Sequence, residues 1–471
     1  MAEYGRCRRV WGRALPQQLT AVRESQLLTC PMFAQLDTTV TLASTITNDL
    51  SGIHRRIRAA AQNDTFVITG DISAMWLRDS TNQVLPYVGL AKADAALAAM
   101  LHGVIHRQAL CVLSDPYANA FQLPGSLPSP HVDDSTSKPG FAGSRLAGMT
   151  SAIFERKYEV DSLAAFLKLS NAWFDEFGDS DLTPFTQTWL QAVRSVLGVF
   201  QDQQQSTAQE DASASGPVYM FQRTTGQPSD SLEYGRGAPA AFTGLIKTGF
   251  RPSDDAAHLP FNIPQNAMAL VELKRTAALL LHLQQGDEAT QAELIAQRIQ
   301  AGLDKFGSIT HPIAGKVYAY EVDGFGNAHF VDDANVPSLL SLPYLGFGNG
   351  SSALLQSTRA GVLSRANPWY FNGSVIAGIG SQHTGQGRVW PMSLIVQAWT
   401  SNGDAEIEHL LQQLIESSAC TGLLHESVAV DDAGGYTRPW FAWANSFFGS
   451  LVLKIADERP HLILKQQLRR G

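Results

Sequence analysis

The sequence predicts an all-α protein, a ring of helical hairpins whose long loops converge on one end to form a pocket. Three observations predict it. Apolar residues recur at three- and four-residue spacing in a series of paired segments, as in Leu270, Leu273, Ala277, Leu280 and Leu281, the mark of a core-facing stripe. The loops between pairs are rich in Gly, Pro, Asp and aromatics, too long to be mere connections, and carry nearly every chemically loaded motif. Strand-like pieces, at 218–222 and 316–321, are few and short, with no βαβ alternation, no clear repeat and no heptad seam.

Taken in order, the helical pattern covers 39–61, 81–112, 159–177, 184–203, 264–285, 288–306, 354–365, 391–400, 405–418 and 440–456. Two other segments read as surface loops. One, 124–148, is rich in Ser, Pro and Gly; the other, 201–215, is a Gln/Ser/Ala tract.

Composition narrows the function. With 44% hydrophobic, 9% aromatic and 17% charged residues, a chain of 471 residues can bury a sizeable core and keeps much neutral polar surface. A net charge of -8 without a basic face argues against nucleic acid as a partner. The four cysteines, Cys7, Cys30, Cys111 and Cys420, lie far apart with no CxxC, which predicts free thiols or at most one or two bridges. No apolar run approaches the roughly 18 to 20 residues of a membrane span, and the first residues contain no signal-peptide core. A cytoplasmic protein with no membrane partner is therefore expected. The sequons at Asn63, Asn349 and Asn372 are no more than chance supplies at this length.

The densest chemistry lies between Thr65 and Tyr87, TFVITGDISAMWLRDSTNQVLPY. A β-branched run delivers Gly70-Asp71, and then Trp76, Arg78 and Asp79 arrive just before an apolar helical pattern. Asp and Arg make directional, charge-assisted hydrogen bonds to hydroxyls, and an indole face suits the C–H face of a sugar ring. The same residues also suit a plain strand-to-helix turn with a first-turn Asp and a structural salt bridge.

Further loops repeat this double reading. Asp115-Pro116-Tyr117-Ala118-Asn119 offers an amide and a phenol, or a Pro-directed turn with a capping Asp. In Glu155-Arg156-Lys157-Tyr158-Glu159-Val160-Asp161 the acids favour helix initiation, while Lys157 remains a hydroxyl donor. Phe250-Arg251-Pro252-Ser253-Asp254-Asp255 holds an acid pair in a rigid loop, suited to a general acid or to an N-cap for the helix that follows. Only one of Asp254 and Asp255 can enter a pocket, because neighbouring residues point different ways. Asp332-Asp333 repeats the acidic pattern, with helix capping before Ser338 as the simpler account; calcium remains conceivable, although no EF-hand spacing is present. Gly378 to Gly385 brings backbone close to a ligand and sets His383 as a hydroxyl partner. In Leu424-His425-Glu426-Ser427 with Tyr436 to Asn445, a lone carboxylate sits among aromatics and near Arg438, surroundings that tune Glu426 toward base duty. No serine elbow, cysteine–histidine signature or metal-ligand set is found, so neither metal nor cofactor is expected. Two carboxylates flanking an anomeric carbon suffice for glycoside hydrolysis.

Together the motifs TGDISAMWLRDS, DPYANAF, ERKYEVDSL, FRPSDDA with IPQN, DDANVPSLLSLPYLG, GIGSQHTG with VWPMSLIVQAWTS, and HES with YTRPWFAWANSFFG resemble glycoside hydrolase family 125, in the family's order and over roughly 36–455. The resemblance implies an (α/α)6 toroid in a single catalytic domain, 31–460, between an amino-terminal extension, 1–30, and a tail, 461–471. It implies an exo-acting α-mannosidase that prefers 1,6-linked mannose and inverts the anomeric centre without metal. Its partner would be an α-mannoside oligosaccharide or N-glycan fragment. Carried onto this chain, the acid of FRPSDDA becomes the general acid, Asp254 ahead of Asp255, and Glu426 the general base. In an inverting enzyme these carboxyls stand about 6.5 to 9.5 Å apart. Asp71, Trp76, Arg78, Asp79, Asn119, Lys157, Arg251, His383 and Arg438 would bind the terminal sugar. The chain departs from the family pattern at Cys30 to Leu36 and in the loop 124–148, which bears on linkage preference. The rival readings are another toroid enzyme acting on glucosides or uronates, and a catalytically silent glycan-binding protein.

Overall fold

Helices that must be buried all round alternate along this chain with helices that bury a single stripe, and that alternation builds a double ring. The computed structural model describes residues 64–123, 125–126, 129–131, 148–214, 216–223, 228–348 and 350–462. In chain order the helices are α1 (Leu77–Val84), α2 (Ala95–Ser114), α3 (Val160–Phe177), α4 (Gln187–Gln203), α5 (Thr207–Ala212), α6 (Ile263–His282), α7 (Gly286–Phe306), α8 (Ala353–Val362), α9 (Pro391–Trp399), α10 (Asp404–Glu416) and α11 (Ala442–Glu458).

Inner helices show the first pattern. Every residue of α3 from Val160 to Asn171 is buried, as is α9 from Pro391 to Val396. An outer helix such as α10 buries only Ile407, Leu410 and Leu414. The inner ring runs α1 against α3, α3 against α6, and α9 against α11, which packs back on α1 and closes the circle. Between α6 and α9 the place of a helix is taken by the turns of 337–346. Tyr344 in those turns meets Lys168 of α3 at 4.5 Å, Trp399 of α9 at 5.3 Å and Phe447 of α11 at 5.1 Å. Outside, α2 packs on α4, α7 on α6 and α10 on α9. This is the (α/α) toroid.

All inner helices begin at the same end, and there the loops are tied by small antiparallel sheets. Met75–Trp76 pairs with Ala120–Phe121, which pairs with Ile153–Glu155. Phe261–Asn262 pairs with Glu321–Val322, next to Ala328–His329. Arg388–Val389 pairs with Ser427–Ala429, next to Asp432–Thr437. Each sheet fastens loops from different hairpins, so residues distant in sequence hold fixed positions at the helix N-termini.

Most expected helices are found within a few residues of their predicted bounds, with four corrections to the sequence expectations. The pattern 81–112 is broken: Leu85–Tyr87 and Gly89–Lys92 are 3-10 turns around Pro86, and α2 starts afresh at Asp94, whose carboxylate accepts from Ala96 and Leu97 N–H. The tract 201–215 is not only loop. It contains α5, opened by a capping box between Ser206 and Gln209. Residues 218–222 form no strand, while 316–321 divides between the hairpin strand Gly315–Tyr318 and Glu321–Val322. Helix α2, at mean hydropathy 1.4, has the length and apolarity of a membrane span, contrary to the expectation from the run lengths. Its buried side, including Leu101, Val104 and Ile105, faces the neighbouring helices. Cys111 is free and buried, and Cys420 is disulfide-bonded. The predicted helix 39–61, the sequons at 63 and 349, the extension 1–30 and most of the loop 124–148 and the tail lie outside the described residues.

Candidate active site

Helix α1 opens directly from a strand, and its first turn aims Arg78 and Asp79 into the ring. The Arg78 guanidinium, 4% exposed, donates from Nη1 to Glu159 Oε2 at 2.5 Å and Asp161 Oδ2 at 3.3 Å, and from Nη2 to Asp254 Oδ1 at 3.2 Å. Its Nε lies 3.5 Å from Asp79 Oδ1, and its plane lies over Trp443 at 5.7 Å. One cation therefore meets four acids. Asp79, Glu159 and Asp161 sit at or before the first turns of α1 and α3, where the helix dipole favours negative charge.

Around this centre the predicted residues form a closed circuit. Thr69 Oγ1 donates to Asp79 Oδ2 at 2.5 Å, and the Thr69 carbonyl accepts from Arg438 Nη2 at 2.8 Å. Arg438 Nε also donates to Asp71 Oδ1 at 2.7 Å, stacks on Phe441 at 4.7 Å and places Nη1 3.7 Å from Glu426 Oε1. Gly70, at φ +96°, lets this corner close, since a Cβ there would stand 2.6 Å from the Trp440 carbonyl. The Phe441 ring leads to Trp390 at 5.9 Å and Trp390 to His383 at 6.3 Å. His383 Nδ1 lies 3.8 Å from Asp255 Oδ1, and the neighbouring Asp254 returns the circuit to Arg78.

Asp254 and Asp255 separate as their adjacency predicts. Asp255 is buried, with Ser253 Oγ donating to its Oδ2 at 2.9 Å. Asp254 keeps a side chain 20% exposed and sits at φ +65°, a left-handed conformation that an Asp tolerates at some cost. Asn119 Nδ2 donates to its Oδ1 at 3.1 Å and to Glu159 Oε1 at 3.3 Å, and Lys157 Nζ donates to its backbone carbonyl at 2.7 Å. Glu426, with a side chain 11% exposed, makes no hydrogen bond through its carboxylate among the described residues, which leaves its oxygens open to water.

Charge and burial set the protonation pattern. Burial drives Glu159 and Asp79 above the usual carboxylate range, and lifts Asp161 to about 6. Burial would raise Asp254 as well, but Arg78, a hydrogen bond from Glu159, Lys157 and His383 together hold it below the usual range. For His383 burial works downward, and Asp255, Glu426 and Asp254 overcome it, raising the imidazole to about 9. His383 is thus a cation among three acids.

Some predicted residues lie off this circuit. Trp76 packs with Ala74 and Ala120 in a satellite cluster, edge-on to Phe154 at 5.3 Å, its indole N–H buried and unpaired. Lys157 is held by Asp230 and by Glu155 at 3.5 Å, with Arg223 spanning the same two acids. Arg251 is clamped by Glu321 at 2.6 and 3.0 Å and reaches Gln382 Oε1 at 3.2 Å, beside His383. Asp332 caps the turns that begin at Ser338, accepting from Leu339 and Leu340 N–H at 2.7 and 2.9 Å, and Asp333 takes Ser381 Oγ at 2.6 Å; capping and loop tethering account for both. His425 stacks on Tyr436 at 3.6 Å and bonds the Arg438 carbonyl at 3.1 Å, joining the two loops.

The residues that sequence reasoning passed over are Glu159 and Asp161, absorbed into helix initiation, and Glu321, which no motif contains. The first two stood inside ERKYEVDSL and had a signal; Glu321 had none. Ligand atoms of His258, Glu321 and His329 lie within 4.8 Å of one another. Both oxygens of Glu321 are occupied by Arg251, however, and Oε2 also accepts from His258 and Leu259 N–H, so the carboxylate serves as an arginine clamp.

The family profile described as metal-independent alpha-mannosidase (GH125) matches residues 25–453. The chain belongs to this family. It is also 46% identical over 408 residues to the meiotically up-regulated gene 157 protein of Schizosaccharomyces pombe, covering 85% of this chain and 78% of that protein. A Streptococcus pneumoniae protein from an analysis of metal-independent α-mannosidases, solved in a non-productive complex with α-1,6-mannobiose, superposes with a TM-score of 0.78 at 35% identity. The match covers 91% of this chain and 99% of that one. The acid-rich cluster at the inner-helix N-termini thus belongs to a member of the metal-independent α-mannosidase family.

Proposed function

We propose that the protein is an exo-acting α-mannosidase that removes terminal mannose, preferentially α-1,6-linked, from an oligosaccharide with inversion at the anomeric carbon. Asp254 protonates the glycosidic oxygen as its bond to the anomeric carbon breaks. Glu426 takes a proton from the attacking water. The observation that carries this reading is the contrast between the two carboxyls. Asp254 is part-exposed and held by Arg78 and Asn119, while Glu426 lies 3.7 Å from Arg438 with no hydrogen bond to its carboxylate among the described residues.

Arg78, Asp79, Asn119, Asp71, Arg438 and His383 supply directional donors and acceptors for the hydroxyls of one sugar, beside the helix N-termini. Lys157 and Arg251 act one contact further out, through the Asp254 backbone and Gln382. Trp76 supports the wall through Phe154. Asp255 holds His383 charged rather than transferring protons itself.

NMR of an α-1,6-mannobiose digest tests the proposal. β-Mannose as first product, lost by about 10²–10⁴-fold in Glu426→Gln, is expected. The α-anomer as first product, or an unchanged rate in the variant, would overturn it.

A further inference from the structure

The acid that donates a proton must first hold one, yet Asp254 is the carboxyl its neighbours keep ionised. Beside it stands Glu159, fully buried, bound to the same two donors: Arg78 through Nη1 and Nη2, and Asn119 through one Nδ2. The two carboxyls are thus side by side, each within hydrogen-bond distance of the one Asn119 Nδ2, at 3.3 and 3.1 Å. Two carboxyls this close, one of them fully buried, disfavour a second charge and titrate as a pair that retains a proton.

We infer that Glu159 is the proton partner of Asp254: the pair holds one proton, on Glu159 in the free enzyme, which passes to Asp254 as the glycosidic oxygen arrives. This rests on the reading of Asp254 as the acid and extends it by one residue. The crowding of acids around one guanidinium favours such a proton. Facing Glu159 are Arg78 from α1, Asn119 from the loop before its strand, Ser162 and Asp161 on its own helix, and Asp254. Facing Asp254 are Arg78, Asn119, Lys157, His383 and Glu159. Lys157 is shared with Glu155 and Asp230 and His383 with Asp255 and Glu426, so the Arg78 guanidinium is the cation in contact with all four of Asp79, Glu159, Asp161 and Asp254. Buried like charges at this spacing do not all ionise.

The step balances. The one proton of the pair passes from Glu159 to Asp254 and from Asp254 to the leaving oxygen, which takes the electron pair of the broken C–O bond. The proton of the attacking water goes to Glu426. Afterwards Glu426 releases its proton to solvent and the pair takes one up. Glu159, its side chain fully buried while that of Asp254 is 20% exposed, does not reach the sugar; it is a positioning residue and proton store.

Glu159→Gln removes the store and keeps the shape. Two substrates separate the roles: α-1,6-mannobiose, whose leaving sugar needs a proton, and 2,4-dinitrophenyl α-mannoside, whose leaving group does not. The inference expects kcat/KM on mannobiose at pH 7 to fall by about 10²-fold and the basic limb of its pH profile to move down by a pH unit or more. The aryl mannoside should lose less than about tenfold. Glu159→Asp should recover part of both rate and limb, and it carries the test if the Gln variant does not fold. Equal losses on the two substrates with an unmoved limb would mean a structural role only and would overturn the inference. Asp254→Asn separates this from the underlying reading. If it shows the leaving-group dependence and Glu159→Gln does not, the inference alone fails. If Asp254→Asn shows none, the assignment of the acid fails with it.

Discussion

His383 is the residue whose environment most changes its chemistry. Three acids raise its imidazole to about 9 from an ordinary 6.5, although the ring is 39% exposed at the mouth of the pocket. A folded-state value above the unfolded one contributes stability that is complete below about pH 6.5 and is lost as the pH rises through about 9. The melting temperature of His383→Asn should therefore fall below that of the parent at pH 6, and the gap should close by pH 9.5. A gap that stays constant across that range would remove the cation from the account. Residue types in the motifs were enough to nominate His383, Arg78, Asp79, Asp254 and Glu426. They could not separate Asp254 from Asp255, because that choice depends on a backbone at φ +65° which turns one carboxyl to Arg78 and leaves the other against Ser253. Nor could they separate Glu159 from an ordinary first-turn acid, since both occupy the same place in a helix.

At the scale of elements, the site depends on junctions between loops rather than on any one loop. The corner at Gly70 meets the Trp440 carbonyl and the Phe441 backbone, and it sets the Asp71–Arg438 pair beside Glu426. Gly70→Ala forces a Cβ to within 2.6 Å of that carbonyl at a φ that favours glycine, a strain of about 1–3 kcal/mol. Denaturant titration should read that loss together with a drop in activity, and an unaltered midpoint would contradict the junction's role. A second prediction concerns the turns that replace a sixth inner helix. Asp332→Ala leaves Leu339 and Leu340 N–H without their acceptor in a buried setting, and should cost about 1–3 kcal/mol in the same titration. Helix existence was readable from periodicity because each helix packs one stripe or all of its surface. The small sheets were not, because strands of two or three residues are too short to show alternation and form only when distant loops meet.

For the whole molecule, ring closure couples the first inner helix to the last. Leu451 of α11 is fully buried in the main core, so Leu451→Ala should cost about 2–5 kcal/mol, seen as a lowered unfolding midpoint. Activity against mannobiose should be unaffected by EDTA, in keeping with the metal-independent family and with Glu321 committed to Arg251; inhibition by the chelator would contradict this. By itself the sequence determined the helical class, the ring of hairpins, the family and most of the residues that meet at the pocket. Periodicity and local motifs survive in one dimension, and those properties depend on little else. Only the tertiary structure decided which acids share the Arg78 guanidinium, which of two adjacent aspartates faces the pocket, and that Arg251 needs Glu321. Burial and charge pairing are properties of three-dimensional neighbours, and these neighbours are brought together only when the ring closes.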